Sequence, residues 1–445
     1  MTHNQNRRRR LCSVIAVVTT ALMAGNARGA NVAQDDARHS SRNHHGDYTV
    51  GYSVQTLNVP GTLGESRPVN VHLWYPARRV DDCNDSSESG RSRGYQGCAL
   101  TPSMYSSRLY GVPLLPQWDP LLWTIGSSES FDNLPLTRGH HAFPVILFSH
   151  GNQNNAIDYV YTLEALASFG FIVAAPDHLG NTQDDARIDF INSQAPFPFI
   201  DCFDGLPSPC SRGTSIRKSL TDRMHDVSAI IDALPTWFGE HADLARIGVL
   251  GHSRGTVTAL AAAGGSTTWE FPPEPRVKAI MGMAIGAMAI TFGANVHDIT
   301  LPALLLAGTL DTTAPAAISQ AAYDALGSSD KQLILIENAK HRHFDSGLCA
   351  QTQRAGSIAQ ANPRAILDRQ TVESLLTFPS SGTAMDFCGF DTFMDPSDIR
   401  PLVASLTGFN VVPANVPATG LDSTAVKEEV IDLAVAFFGR VLGAP

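Results

Sequence analysis

An α/β architecture, with a mostly parallel sheet of about eight strands flanked by helices, is what this chain predicts. Three observations predict it. The chain has 445 residues, 43% of them hydrophobic and 17% charged, enough apolar material for one large core. Short apolar runs recur from Pro144 onward, separated by stretches of helical periodicity, as parallel strands joined by crossover helices require. Ahead of them, Tyr48 to Leu57 and Val69 to Trp74 alternate apolar and polar residues, which predicts an antiparallel hairpin.

In chain order, strands are expected at Pro144 to Phe148, Phe171 to Ala175, Arg246 to Leu250, Ala279 to Ala284, Ala303 to Ala307 and Gln332 to Ile336. Helices are expected at Tyr159 to Phe169, Leu220 to Leu234, Thr256 to Ala263 and Ala316 to Leu326, with a closing helix capped by Ser423. Segments near 78–140, 183–218 and 345–420 break this rhythm and are rich in Gly, Pro, Ser or Asp. Excursions after strand ends commonly roof the crevice of such a sheet, so these are expected as lid-like insertions in a domain spanning 47–445. Surface decoration is the plainer alternative.

The N-terminus has its own logic. Arg7 to Arg10 precede the uncharged, largely apolar run Leu11 to Gly25, which ends in small residues. This is a signal-peptide pattern, expected over residues 1–30 and followed by a disordered segment over 31–46. The apolar run is too short to span a bilayer, so no transmembrane anchor is expected and the mature chain should be secreted or periplasmic. Removing residues 1–30 takes away five arginines and no acids, moving the net charge from −10 to −15, which argues against a nucleic-acid partner. Six cysteines remain after the leader and suit an oxidising compartment. Pairing by proximity gives Cys83–Cys98, Cys202–Cys210 and Cys349–Cys388, one for each insertion; buried free thiols are the alternative.

The chemistry centres on Gly251-His252-Ser253-Arg254-Gly255, which follows an apolar run and precedes a helix-prone one. Between strand and helix, this pattern reads as a nucleophile elbow, where glycines two positions either side of the serine let strand and helix approach. A serine hydroxyl needs a base, and the base needs a carboxylate to orient it. Asp311 follows the strand Ala303 to Ala307 through Gly308-Thr309-Leu310, at the end of the sheet where sites are built. Two histidines, His341 and His343, stand in the loop beyond the strand Gln332 to Ile336, and Asp345 is a rival acid. A His-x-His pair could also bind a metal, but no metal or organic cofactor is needed for this chemistry. The oxyanion of acyl transfer needs preorganised donors: the Arg254 N–H, next to the nucleophile, and the Asn152 N–H, in the loop Ser149 to Gln153 after the first parallel strand. His178 could line the pocket or stabilise a turn.

Together with Phe148-Ser149-His150-Gly151, Ala175-Pro176-Asp177-His178, Gly308-Thr309-Leu310-Asp311 and Val71 to Pro76, the elbow resembles the platelet-activating-factor acetylhydrolase and dienelactone-hydrolase-like branch of the α/β-hydrolases. Leu301 to Phe344 also resembles bacterial cutinases, in which the catalytic histidine directly precedes Phe; that resemblance favours His343 over His341. It implies an α/β-hydrolase fold with lid-like insertions and a Ser253, Asp311, His343 triad. The implied activity is hydrolysis of small-molecule or lipid-like carboxylic esters through an acyl-enzyme. Three features depart from the pattern: Asn152 stands where cutinases carry an aromatic residue, His252 precedes the serine, and Thr256 replaces a third glycine. The alternatives are amide or lactone cleavage on the same residues and a catalytically silent binding protein.

Overall fold

Continuous apolar runs in the middle of the chain become strands covered on both faces. The computed structural model describes residues 45–78, 102–108, 122–137, 142–152, 154–182, 185, 216–286, 294–345 and 423–443. The chain divides into two units, Met1–Asn43 and His44–Pro445, and every described residue lies in the second. The leader and all three cysteine pairs lie outside the described residues, as does most of the three insertions.

The strands are β1 (Thr49–Pro60), β2 (Ser66–Ala77), β3 (Pro102–Arg108), β4 (Leu122–Asp132), β5 (Phe143–Ser149), β6 (Ile172–Pro176), β7 (Ala242–His252), β8 (Val277–Met283), β9 (Ala303–Gly308) and β10 (Lys331–Ile336). The helices are α1 (Val160–Ser168), α2 (Ile216–Phe238), α3 (Arg254–Gly264), α4 (Ala316–Ala325) and α5 (Ser423–Phe438). One ten-stranded sheet runs in the order β10-β9-β8-β7-β5-β6-β2-β1-β4-β3. From β6 to β10 all neighbours are parallel, and β2 pairs antiparallel with β6 and with β1.

Alternation along β5 separates two cores. Val145 and Leu147 join Leu220, Val227, Ile231, Val257 and Leu260 of α2 and α3, whereas Ile146 and Phe148 join Val160, Leu163, Val430 and Phe438 of α1 and α5. Helices on both faces are why β5, β6 and β9 are buried throughout and lack a polar alternation.

Expected and observed elements coincide within a few residues for the central strands. The sheet is larger than expected, because β3 and β4 lie inside the segment expected as the first insertion. Their sequences carry little apolar alternation, and they join the sheet through backbone pairing, β4 to β1 and β3 to β4.

After β5 the chain goes to β6 on one side and later to β7 on the other. That reversal opens a crevice at the carboxyl ends of β5 and β7, where ligands bind in sheets of this kind. The loop Ser149 to Gln153 and the Ser253 turn leave those two ends.

Candidate active site

Ser253 sits between β7 and α3 with φ 54° and ψ −116°, a conformation an L-residue adopts only under constraint. Its N–H donates to the Met283 carbonyl (2.8 Å), tying the turn to the end of β8. The flanking glycines are obligatory: a Cβ on Gly251 would overlap the Gly255 backbone, and one on Gly255 would overlap the Ser149 carbonyl. Thr256, in place of a third glycine, fits because Gly282 on β8 has no side chain, and the threonine methyl occupies that space. The Thr256 hydroxyl accepts from the Met283 N–H (3.0 Å) and lies 2.9 Å from the Gly251 carbonyl.

The β9 end and the histidine loop are joined before any side chain of the site is considered. Leu310 N–H donates to the Ala339 carbonyl, Thr309 N–H to Ile336, and Asn338 N–H to the Thr309 hydroxyl. Asp311 therefore faces the loop that carries both histidines. Its Oδ1 accepts from the Thr313 and Ala314 N–H groups (2.9 and 2.7 Å), and its Oδ2 takes the Nδ1–H of His341 at 2.8 Å. The Asp311 side chain is fully buried and that of His341 is 8% exposed.

The histidine that reaches Asp311 is thus His341, and the Asp311–His343 pair expected from the sequence does not form. His343 is buried and its Nδ1 accepts the Lys340 N–H at 2.8 Å. The reason is local. Residues His341–Phe344 form one 3₁₀ turn, in which side chains two apart point about 120° away from each other. Only one of the two rings can face Asp311. Asp345, the rival acid, is buried elsewhere and accepts from Asn154 (2.9 Å).

His341 also lies against the Ser253 turn. Its ring centroid is 4.8 Å from that of His252, the residue before Ser253, and His252 Nε2–H donates to the His341 carbonyl at 3.2 Å. A neutral His252 then accepts at Nδ1 from the Tyr159 hydroxyl (2.7 Å), which itself accepts the Gly151 N–H (3.2 Å). Sequence reasoning missed Tyr159 and the bridging role of His252, since nothing in their local pattern distinguishes them from core residues.

The loop after β5, expected to carry an oxyanion donor, rests on a buried polar layer. Arg254, the other expected donor, opens α3, so its N–H lies outside the helical ladder. Asn152 is half-buried and its side-chain oxygen accepts from Asn181 (2.6 Å). His178 is buried, bonded to Asp226 through Nδ1 (2.8 Å) and to the Ser149 hydroxyl through Nε2 (2.9 Å). His150 accepts the His178 N–H at Nε2 and donates from Nδ1 to the Gly151 carbonyl. Burial, then the nearby Arg223 cation, holds both rings well below the ordinary imidazole range, so both stay neutral. Among the described residues no group of three or more His, Cys, Asp and Glu side chains gathers as a metal site, and no helix is long and apolar enough to cross a membrane.

Two families match this chain in sequence. Residues 35–188 match "Platelet-activating factor acetylhydrolase, isoform II" and residues 198–359 match "PET hydrolase-like". With the strand order above, these matches decide the matter. The chain is an α/β-hydrolase. Its matches support the platelet-activating-factor acetylhydrolase and dienelactone-hydrolase-like branch, with a cutinase-like part, and make it a carboxylic ester hydrolase. No curated protein gives a significant sequence match. Among solved structures, the ferulic acid esterase from Streptomyces cinnamoneus aligns at 16% identity over 89% of this chain and 90% of that one, with a TM-score of 0.44. The acetyl xylan esterase from Paenibacillus sp. R4 aligns at 16% identity over 70% and 84%, with a TM-score of 0.38. A putative dienelactone hydrolase from Klebsiella pneumoniae subsp. pneumoniae aligns at 12% identity over 66% and 89%, with a TM-score of 0.36. None of these likenesses carries an argument about substrate.

Proposed function

We propose that this α/β-hydrolase is an exported serine esterase working through Ser253, His341 and Asp311, by way of an acyl-enzyme. The observation that carries the reading is the 2.8 Å bond between His341 Nδ1 and the buried Asp311 carboxylate, on a ring packed against the residue preceding Ser253. Asp311 holds the imidazole in the tautomer with its proton on Nδ1, leaving Nε2 as the base. Ser253 Oγ attacks the acyl carbon as its proton passes to Nε2, and the oxyanion is stabilised by the Asn152 and Arg254 N–H groups. Collapse breaks the bond to the alcohol oxygen, which takes that proton and leaves. Water, deprotonated by the same Nε2, then attacks the acyl carbon; collapse breaks the bond to Ser253 Oγ, which takes that proton back as the acid leaves.

The strained φ of Ser253 and the glycine contacts around it support its place as nucleophile. Small-molecule or lipid-like esters are the proposed substrates, and residues 1–30 the proposed export signal. The test is hydrolysis of p-nitrophenyl butyrate. Ser253→Ala should retain the fold and lose turnover to within a few fold of background, together with labelling by a fluorophosphonate; steady turnover by the folded variant would reject the assignment.

A further inference from the structure

Arg223 on α2 is 1% exposed, yet among the described residues no carboxylate forms an ion pair with it. A buried guanidinium without a counter-ion is costly, so its remaining partners must offset the loss of water. All of them belong to the oxyanion loop or touch it. Nη1 donates to the Ser149 hydroxyl (3.0 Å) and the His150 carbonyl (2.7 Å), and Nη2 donates to the Gly151 carbonyl (3.3 Å) and to Asn181 Oδ1. Asn181 in turn donates to the Asn152 side chain (2.6 Å).

In a planar trans peptide the C=O and the following N–H point in opposite directions. Holding the His150 carbonyl on Arg223 therefore sends the Gly151 N–H the other way, and it ends on the Tyr159 hydroxyl at 3.2 Å. The same constraint on the Gly151 carbonyl sends the Asn152 N–H away from Arg223, where no described residue accepts it. One donor of the loop is thus consumed inside the protein and the next is presented.

We propose that Arg223 is the positioning residue of the oxyanion hole: its fork fixes two successive peptide planes so that the Asn152 N–H is preset for the substrate's carbonyl oxygen, and its charge, which no described carboxylate contacts directly, favours an anion there. The inference rests on the triad reading given above. Burial and then the neighbouring Arg254 cation both oppose the charged form of Arg223, but every bond it makes is a donation to oxygen, and a guanidinium keeps its proton under such conditions. Ser149 fits the same polarity, accepting from Arg223 and donating to His178, whose Nδ1–H continues to Asp226 and so toward the Arg67 cation.

The experiment compares wild type, Arg223→Lys and Arg223→Gln in kcat and KM for p-nitrophenyl butyrate and in Ki for butylboronic acid, whose serine adduct is tetrahedral and anionic. Loss of one preset donor predicts a fall in kcat of about 10²-fold for Arg223→Gln, with KM within about threefold and boronate affinity falling in parallel. Arg223→Lys keeps the charge without the fork and should fall between. Folded Arg223→Gln with kcat within twofold of wild type, or with the whole loss in KM, overturns the proposal. Should both variants fail to fold, Asn181→Ala decides: a fall in kcat beyond twofold supports the proposal and a smaller one overturns it. The readings fail separately. Wild type that no fluorophosphonate labels at Ser253 sinks the triad and this inference with it, whereas labelled wild type beside a fully active Arg223→Gln sinks this inference alone.

Discussion

His341→Asn against His343→Asn separates the two histidines that stand two residues apart. An asparagine at 341 can still donate from Nδ2 to Asp311 Oδ2, replacing the 2.8 Å bond, but offers no base at the position of Nε2. The carboxylate also keeps its two backbone donors, Thr313 and Ala314, so the acid stays in place and the loss isolates proton transfer. Removing a general base costs roughly 10² to 10⁴ in kcat, about 2.7 to 5.4 kcal/mol of barrier. An asparagine at 343 keeps an acceptor for the Lys340 N–H, so the structure assigns it a packing change of roughly 1–2 kcal/mol in stability and a kcat within about fivefold of wild type. Steady-state hydrolysis of p-nitrophenyl butyrate near neutral pH, with thermal melts to establish folding, reads both numbers. Folded His343→Asn that is inactive beside active His341→Asn would refute the assignment and return the catalytic role to His343.

Acid should destabilise the protein through His150 and His178. Their pKa values in the folded state lie well below 6.5 because burial excludes the charged form, so below that pH the unfolded chain binds more protons. The stability they contribute is present above the unfolded value and is lost as pH falls, by about 1.4 kcal/mol per pH unit for each ring; a Tm that is flat or rises on going from about pH 8 to about pH 5.5 would contradict this. At the elbow, Gly282→Ala should cost roughly 1–3 kcal/mol by pushing its methyl into that of Thr256. Adding Thr256→Gly should recover the part of that loss due to the overlap, and strict additivity of the two changes in denaturant melts would remove this explanation of Thr256.

Strand and helix placement was legible along the chain because it depends on apolar period, which is local. The turn at Ser253 was legible for the same reason: strand, glycine-flanked serine and helix are consecutive, so their spacing encodes it. Asp311 could be placed at a strand end by the same reasoning. The choice between His341 and His343 was not local. It depended on the loop closing into a 3₁₀ turn and on Leu310 and Asn338 tying that loop to the β9 end, contacts between segments far apart in the chain. The strands β4 and β3, which extend the sheet beyond β1, escaped notice because backbone pairing leaves no apolar period in the sequence.

What the sequence by itself determined was the class of sheet, the placing of Ser253 and Asp311 at strand ends, and the glycines the Ser253 turn requires. Only the tertiary structure decided which imidazole meets the carboxylate and that Arg223, on α2, holds the His150 and Gly151 carbonyls of the loop after β5. The physical reason is the same for both: direction. A side chain's identity is written in the sequence, but where it points is settled by the packing of elements that the sequence does not place side by side.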